Sequence, residues 1–186
     1  RAPRSNFNAA AEQSFLDELA EAMGKDPIDF RLELLKRAKE NPVGKNNEYD
    51  ADRYAGVLKL VKEKSGWGNA ENKKYSRGVA AYFCHNSYAA HVVDIVMKNG
   101  RPYVERVFSA MDCGIVVNPD AATNMVEGAV VDGIGNAFYG KLSHKDGAAE
   151  QNNFHRYRMI RHSEAPKKIE VHFVQNDIDP TGLGEP

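Results

Sequence analysis

Asn99-Gly100 separates two apolar runs, residues 88–97 and 102–110. An Asn-Gly pair accepts positive φ at both positions, which a two-residue hairpin turn requires. The two runs therefore read as antiparallel neighbours. A third run of similar composition, residues 78–84, precedes them across His85-Asn86-Ser87. All three are rich in Val, Ala, Tyr and Phe, and polarity partly alternates between Tyr103 and Phe108, as expected for strands with one face on a core. The middle of the chain is thus committed to a small sheet of three antiparallel strands.

The first third is helical. Between Asn8 and Met23, apolar residues recur at Ala11, Phe15, Leu19 and Ala22, with acidic residues on the other faces and Gly24 as C-cap. Asp26-Pro27 starts a second helix, Asp as N-cap and Pro at the first helical position. Its apolar stripe is Phe30, Leu34 and Leu35, and Asn41-Pro42 ends it. Asp50 caps a third helix carrying Tyr54, Val57, Leu58 and Val61, which Ser65-Gly66-Trp67-Gly68 stops.

After the sheet, Asn118-Pro119-Asp120 breaks the chain ahead of residues 121–139, a stretch rich in Ala, Val and Gly and poor in charge. A segment apolar on most faces reads as a buried helix. Gly128, Gly133 and Gly135 each lower its propensity by about 1 kcal/mol, as close approach of a neighbour would justify. One strand, residues 169–174, and a turn-rich end from Asp179 to Pro186 complete the chain. The expected architecture is α+β in a single domain over residues 1–186. A helical part, 1–70, precedes a part made of the sheet, the long buried helix, a C-terminal strand and a final turn, 71–186.

Several function classes are unsupported. A net charge of −1 lacks the basic excess of a nucleic-acid surface. No apolar run approaches the roughly 18 residues that span a bilayer, and no basic-then-apolar leader is present. Arg1 at the start and Gly-Glu-Pro at the end read as cut points. Cys84 and Cys113 form no C-x-x-C pair and read as buried thiols. The six histidines show no short ligand spacing, so no side-chain metal site is expected. Gly133-Ile134-Gly135 is an incomplete dinucleotide loop with no strand leading into it, and reads as helix packing.

Two stretches carry more information. In Gly182-Leu183-Gly184-Glu185-Pro186 the glycines allow a bulky group to approach the backbone. Pro186 holds Glu185 in extended geometry and so directs its carboxylate. A surface turn that carries a Glu by chance has the same composition. Asp112-Cys113-Gly114 followed by Asn118-Pro119 reads as strand end, glycine turn and helix entry, and also fits a plain connection.

Taken in order, these segments resemble the molybdenum-binding subunit of the isoquinoline 1-oxidoreductase branch of the xanthine dehydrogenase and aldehyde oxidase family. Asp112-Cys113-Gly114 to Asn118-Pro119-Asp120, with Glu127-Gly128, is similar to its D-C-G-x-x-x-N-P-D…E-G stretch. Gln151-Asn152-Asn153-Phe154 with Tyr157 resembles Q-x-N-F-x-x-Y, and Glu164-Ala165-Pro166 with Ile169-Glu170-Val171 resembles E-A-P…I-E-V. Gly182 to Pro186 resembles the G-x-G-E-P signature. Arg1-Ala2-Pro3, followed by residues 12–19, resembles the segment that opens with a cofactor-side arginine.

The resemblance implies a molybdopterin-binding-domain-like fold and a fragment of a larger subunit. It implies molybdopterin cytosine dinucleotide with molybdenum, held by the complete protein rather than by this piece. The implied activity is oxidation of a carbon in an N-heterocycle or aldehyde with water-derived oxygen, Glu185 acting as catalytic general base. Arg1, Met125, Gly182, Leu183 and Gly184 fall on cofactor-side positions. The implied partners are a small subunit bearing [2Fe–2S] clusters and a small aromatic or aldehyde substrate, with no nucleic acid and no membrane span. The fragment alone is expected to be inactive. Export folded through the twin-arginine route and residence in the cytoplasm both stay open. Met125 stands where relatives often carry a pterin-contacting Gln, and thioether lacks the amide's hydrogen-bonding groups. Arg4 replaces a common Gly. Met125 favours the alternative of a non-catalytic scaffold or partner-binding domain derived from the family, while the intact Gly182 to Pro186 turn favours the enzyme.

Overall fold

The computed structural model describes residues 6–42, 49–72 and 74–183. Three helices come first: α1 (Asn6–Ala22), α2 (Pro27–Glu40) and α3 (Ala51–Lys64). The caps are those the sequence marks. Asp26 accepts from the Ile28 and Asp29 N–H groups at 2.9 and 3.0 Å, and Asp50 from Asp52 and Arg53 at 2.9 and 3.1 Å. Each satisfies donors that a helix start leaves orphaned.

β1 (Ser76–Cys84), β2 (Ser87–Lys98) and β3 (Arg101–Asp112) form the expected antiparallel meander. Both hairpin turns use positive φ at their two central residues, His85-Asn86 and Asn99-Gly100. After β3 the chain forms α4 (Pro119–Phe138), capped by Asn118, and a small hairpin of β4 (His144–Lys145) and β5 (Ala148–Ala149). It then returns as β6 (Lys168–Phe173), which pairs with β3 in parallel, giving the order β1-β2-β3-β6. The α+β class holds. The β4–β5 hairpin was not anticipated, although Asp146-Gly147, both at positive φ, is the dipeptide that announces one.

One face of the sheet makes the core. Val79, Ala81, Tyr88, Ala90, Val92, Phe108 and Ala110 meet Tyr54, Val57, Leu58 and Val61 of α3, with Ile28 and Leu35 of α2 joining the same cluster. The free edge of the sheet at β1 is blunted by side chains. Gln13 of α1 accepts from the Ala81 N–H at 3.1 Å and from the buried Arg31 at 2.9 Å. Tyr54 donates to the Ala81 carbonyl at 2.5 Å. Both backbone groups of Ala81 are thereby occupied at the edge, which disfavours pairing with another chain there.

A buried charge cluster ties the end of the helical layer to the sheet. Asp94, fully inaccessible, accepts from Arg77 Nε at 2.7 Å and from Arg106 Nε at 2.8 Å. Arg77 also donates to the Ser65 and Gly66 carbonyls, and Arg106 to Asn72 Oδ1 at 3.0 Å. The guanidinium of Arg77 lies over Trp67 and that of Arg106 over Tyr75. The donors of both arginines are thereby shared between the carboxylate and backbone or amide acceptors.

The expected burial of α4 does not hold within this chain. Only Ala122, Val126 and Gly135 are buried there, while Met125 and Phe138 are exposed. Gly135 does allow a close approach, since a Cβ there would meet Ile160 at 3.0 Å. Apolar composition on every face states what the helix needs, not which segment of chain supplies it.

On the sheet face opposite α3, His91 Nδ1 and Ser109 Oγ lie 2.9 Å apart. Burial pushes the His91 imidazole down to about 4. A histidine with its folded pKa below its unfolded one contributes stability that is full above about 6.5 and lost as pH falls from there toward 4, because the unfolded chain then binds the extra proton. Moving from pH 7 to pH 5 is expected to lower unfolding free energy by roughly 2 kcal/mol through this residue. Urea midpoints at the two pH values, for the parent and His91→Gln, measure it. An equal drop in the variant would refute the attribution.

Candidate functional site

Three pieces of chain converge where β1 and β3 end: the β1–β2 turn, residues 112–114, and residues 174–183. The last piece runs beside the exit of β3 and continues its ladder. Val174 N donates to Met111 O at 2.8 Å, Ile115 N to Ile178 O at 2.9 Å, and Thr181 N to Cys113 O at 2.9 Å. The segment leading toward Glu185 is therefore held by backbone pairing as well as by side chains.

Asp112 organises the junction. Its buried carboxylate accepts from Arg53 Nη2 at 2.6 Å and Nε at 3.1 Å, from Asn176 Nδ2 at 3.0 Å and from the Gly114 N–H at 3.2 Å. Burial alone would raise this carboxyl, but the hydrogen bonds from Arg53, Gly114 and Asn176 outweigh it, and its pKa falls below the usual aspartate value. Arg53 also donates to the Asn86 carbonyl at 3.0 Å and lies over the Tyr88 ring. One guanidinium thus joins α3, the β1–β2 turn and the end of β3.

Gly114 is the glycine that the junction demands. Its φ is +72°, and a Cβ would stand 2.4 Å from the Asp179 carbonyl oxygen and 2.7 Å from that of Ile178. Both obstacles are backbone. Gly114→Ala is expected to lower stability by about 2–3 kcal/mol, of which about 1–2 comes from left-handed backbone and the rest from displacing residues 178–179. Thermal unfolding of the parent and variant checks this, and a loss below 0.5 kcal/mol, roughly the scatter of neutral surface changes, would contradict the packing described.

Of the residues singled out from sequence, Gly182 and Leu183 lie at this junction, and Met125 stands 46% exposed on α4. Arg1, Gly184 and Glu185 lie outside the described residues. The space left by Gly182 is used by the protein itself, since a Cβ there would meet His85 Cβ at 2.7 Å. Cys113 is buried as expected, and burial raises its thiol above the usual range, followed by the charge of Asp112. Cys84 is half-exposed rather than buried, its Sγ 3.0 Å from His85 Nδ1. The contributions of Arg53, Ser87 and Asn176 left no local signal, because their partners lie 59 to 95 residues away in sequence.

Among the described residues, every carboxylate with a resolved shift is lowered and hydrogen-bonded: Glu33, Glu105, Asp112 and Glu164. None is tuned upward as a base working near neutral pH would be. Nor do the described residues bring three or more His, Cys, Asp or Glu together around a metal ion. Both backbone groups of Gly182 are engaged within the chain, its N–H by the His85 carbonyl and its carbonyl by Ser87.

The molybdopterin cofactor-binding domain family matches residues 11–166. This chain belongs to that family. Isoquinoline 1-oxidoreductase subunit beta of Brevundimonas diminuta is 29% identical over 94% of this chain and 21% of its own. The membrane-bound aldehyde dehydrogenase [pyrroloquinoline-quinone] of Gluconacetobacter polyoxogenes is 27% identical over 94% of this chain and 23% of its own. The chain therefore spans about a fifth of the length of these curated relatives. Among solved structures, quinoline 2-oxidoreductase from Pseudomonas putida aligns over 53% of this chain and 13% of its own, with TM-score 0.45 and 20% identity.

Proposed function

We propose that this chain forms the glutamate-bearing wall of the cofactor site in a complete molybdenum hydroxylase subunit. The observation that carries the reading is the anchoring of residues 174–182 onto the ends of β1 and β3, three residues ahead of Glu185. Chain held in this way can present a carboxylate in one direction, which a general base requires. The order of the G-x-G-E-P, D-C-G and E-A-P segments supports it.

In this reading the cofactor is molybdopterin cytosine dinucleotide, with Arg1, Met125, Gly182, Leu183 and Gly184 along one side. When bound, it supplies the two-electron redox step and an activated oxygen derived from water. The carboxylate of Glu185 accepts the proton that water must lose as its oxygen reaches the substrate carbon. Substrates are small N-heterocycles or aldehydes, whose electron-poor carbon accepts oxygen. Cys84 and Cys113 are too few to hold an iron–sulfur cluster, so electrons leave through a subunit or domain bearing [2Fe–2S] centres. Apolar residues exposed on and after α4, among them Met125, Phe138, Leu142 and Phe154, fit burial against the rest of the longer subunit. Among the described residues no helix is long and apolar enough to cross a membrane.

Metal and nucleotide analysis of the complete protein tests the reading. About one molybdenum per subunit, and a cytosine nucleotide released on acid hydrolysis, are the expected results. Absence of molybdenum would overturn it, in favour of a scaffold if no redox group is found and of a quinone enzyme if one is found instead. Met125 is the residue that favours the scaffold, because it cannot make an amide's contacts.

A further inference from the structure

The turn between β2 and β3 stands clear of the rest of the fold. Residues 97–102 are all exposed, and the last ladder pair before the turn is Lys98 with Arg101. Pro102, opposite Met97, has no N–H to add to the ladder. Among the described residues nothing hydrogen-bonds to the Asn99 side-chain amide or to the Gly100 N–H. A Cβ built on Gly100 would meet nothing within 4 Å, so no neighbouring segment crowds the turn.

The β1–β2 turn has the same two-residue form in a different setting. Arg53 Nη1 donates to the Asn86 carbonyl at 3.0 Å, and Ser87, which follows, is buried and paired with Cys84. Other asparagine side chains are occupied by the fold. Asn118 Oδ1 accepts from the Ala121 N–H at 3.0 Å, while Asn176 donates to Asp112 and accepts from the Ile178 N–H. Position 99 is also the one place in the sequence where glycine follows asparagine.

We propose that Asn99 is a site of spontaneous modification, converted to aspartyl and isoaspartyl forms through a cyclic imide with Gly100. The Gly100 amide nitrogen attacks Asn99 Cγ. A bond forms between them, the Cγ–Nδ2 bond breaks, and ammonia leaves carrying the Gly100 amide proton. Water then opens the imide at either carbonyl, its hydroxyl going to carbon and its other proton to nitrogen. Opening at the side-chain carbonyl leaves an aspartyl residue. Opening at the main-chain carbonyl leaves an isoaspartyl residue, whose main chain is one carbon longer. No oxidant or reductant takes part. Glycine favours the attack because it has no Cβ beside the nitrogen and adopts backbone angles closed to other residues. A new carboxylate between Lys98 and Arg101 meets opposite charge, so the aspartyl form suits the turn. The isoaspartyl form does not, since a two-residue turn has no place for another main-chain carbon.

The test is ageing of the complete subunit, folded and in urea, followed by peptide mapping that separates the two products. In the folded protein Asn99 is expected to lose its amide before any other asparagine of residues 1–186. Its rate should fall within about tenfold of the rate in urea, because an exposed turn opens at little cost in free energy. Asn86 is the internal contrast and should react measurably only in urea. Loss at Asn99 should speed up in mildly alkaline buffer, where the attacking nitrogen gives up its proton more readily. Asn99→Gln, whose longer side chain must close a larger ring, should keep its amide over the same period. Protection of Asn99 by folding beyond about tenfold would overturn the proposal, since the turn would then be ordered backbone. Earlier loss at another asparagine of this chain would overturn it too. So would an aspartyl product without the isoaspartyl one, the mark of direct hydrolysis that bypasses the imide.

Discussion

Glu185→Gln in the complete, metal-loaded subunit is expected to lower kcat by about 10²- to 10⁴-fold, the range assigned to a positioned general base. The amide matches the carboxylate in size, so packing and molybdenum content should stay the same. It cannot take up a proton at working pH. Loss should therefore appear in kcat and in kcat/KM together, with substrate affinity retained. Steady-state kinetics per molybdenum, alongside metal analysis, decide the matter. Turnover within a few fold of the parent would remove Glu185 from the mechanism.

A second large effect is expected at the buried charge cluster. Asp94→Ala should destabilise the protein by about 3–5 kcal/mol, the usual result of removing one partner from a buried ion pair. Asp94 is inaccessible, and without it Arg77 and Arg106 would keep two positive charges with only carbonyl and amide acceptors. Both charges lie in or near the core, where their mutual repulsion is weakly screened. Denaturant unfolding of parent and variant gives the number. A shift under 1 kcal/mol, the scale of a surface pair, would mean that the two arginines find water or other acceptors, and that Asp94 does not hold the sheet to the end of α3.

Much of this architecture was legible because its signals are local. Asp26 and Asp50 cap the helices they were expected to cap, the helix expected after Asn118-Pro119 begins at Pro119, and Asn99-Gly100 turns where its backbone permits. What stayed hidden is non-local. β6 reads as a strand, but nothing in residues 168–173 says that it pairs in parallel with β3. The apolar faces of α4 were taken as core, whereas composition cannot say which segment covers them. Gly182 read as room for a cofactor, and the structure gives that room to His85. Arg53 and Asp112 look like ordinary surface charges until the fold sets them 2.6 Å apart. The motif containing Glu185 was recognisable by order alone, and the geometry that bears on it is that of its anchors.

The parallel pairing of β3 with β6 has a temporal consequence. Arg106 meets Lys168 only after a loop of roughly 60 residues has closed, and loop closure is an entropic toll that neighbouring hairpins hardly face. The meander β1–β2–β3 needs only two-residue turns, so it can assemble on a much faster clock. The contact of Ser87 with the Gly182 carbonyl and the pairing at Cys113 must wait for the slower event. In the maturation of this polypeptide, residues 174–183 are thus among the last to seat.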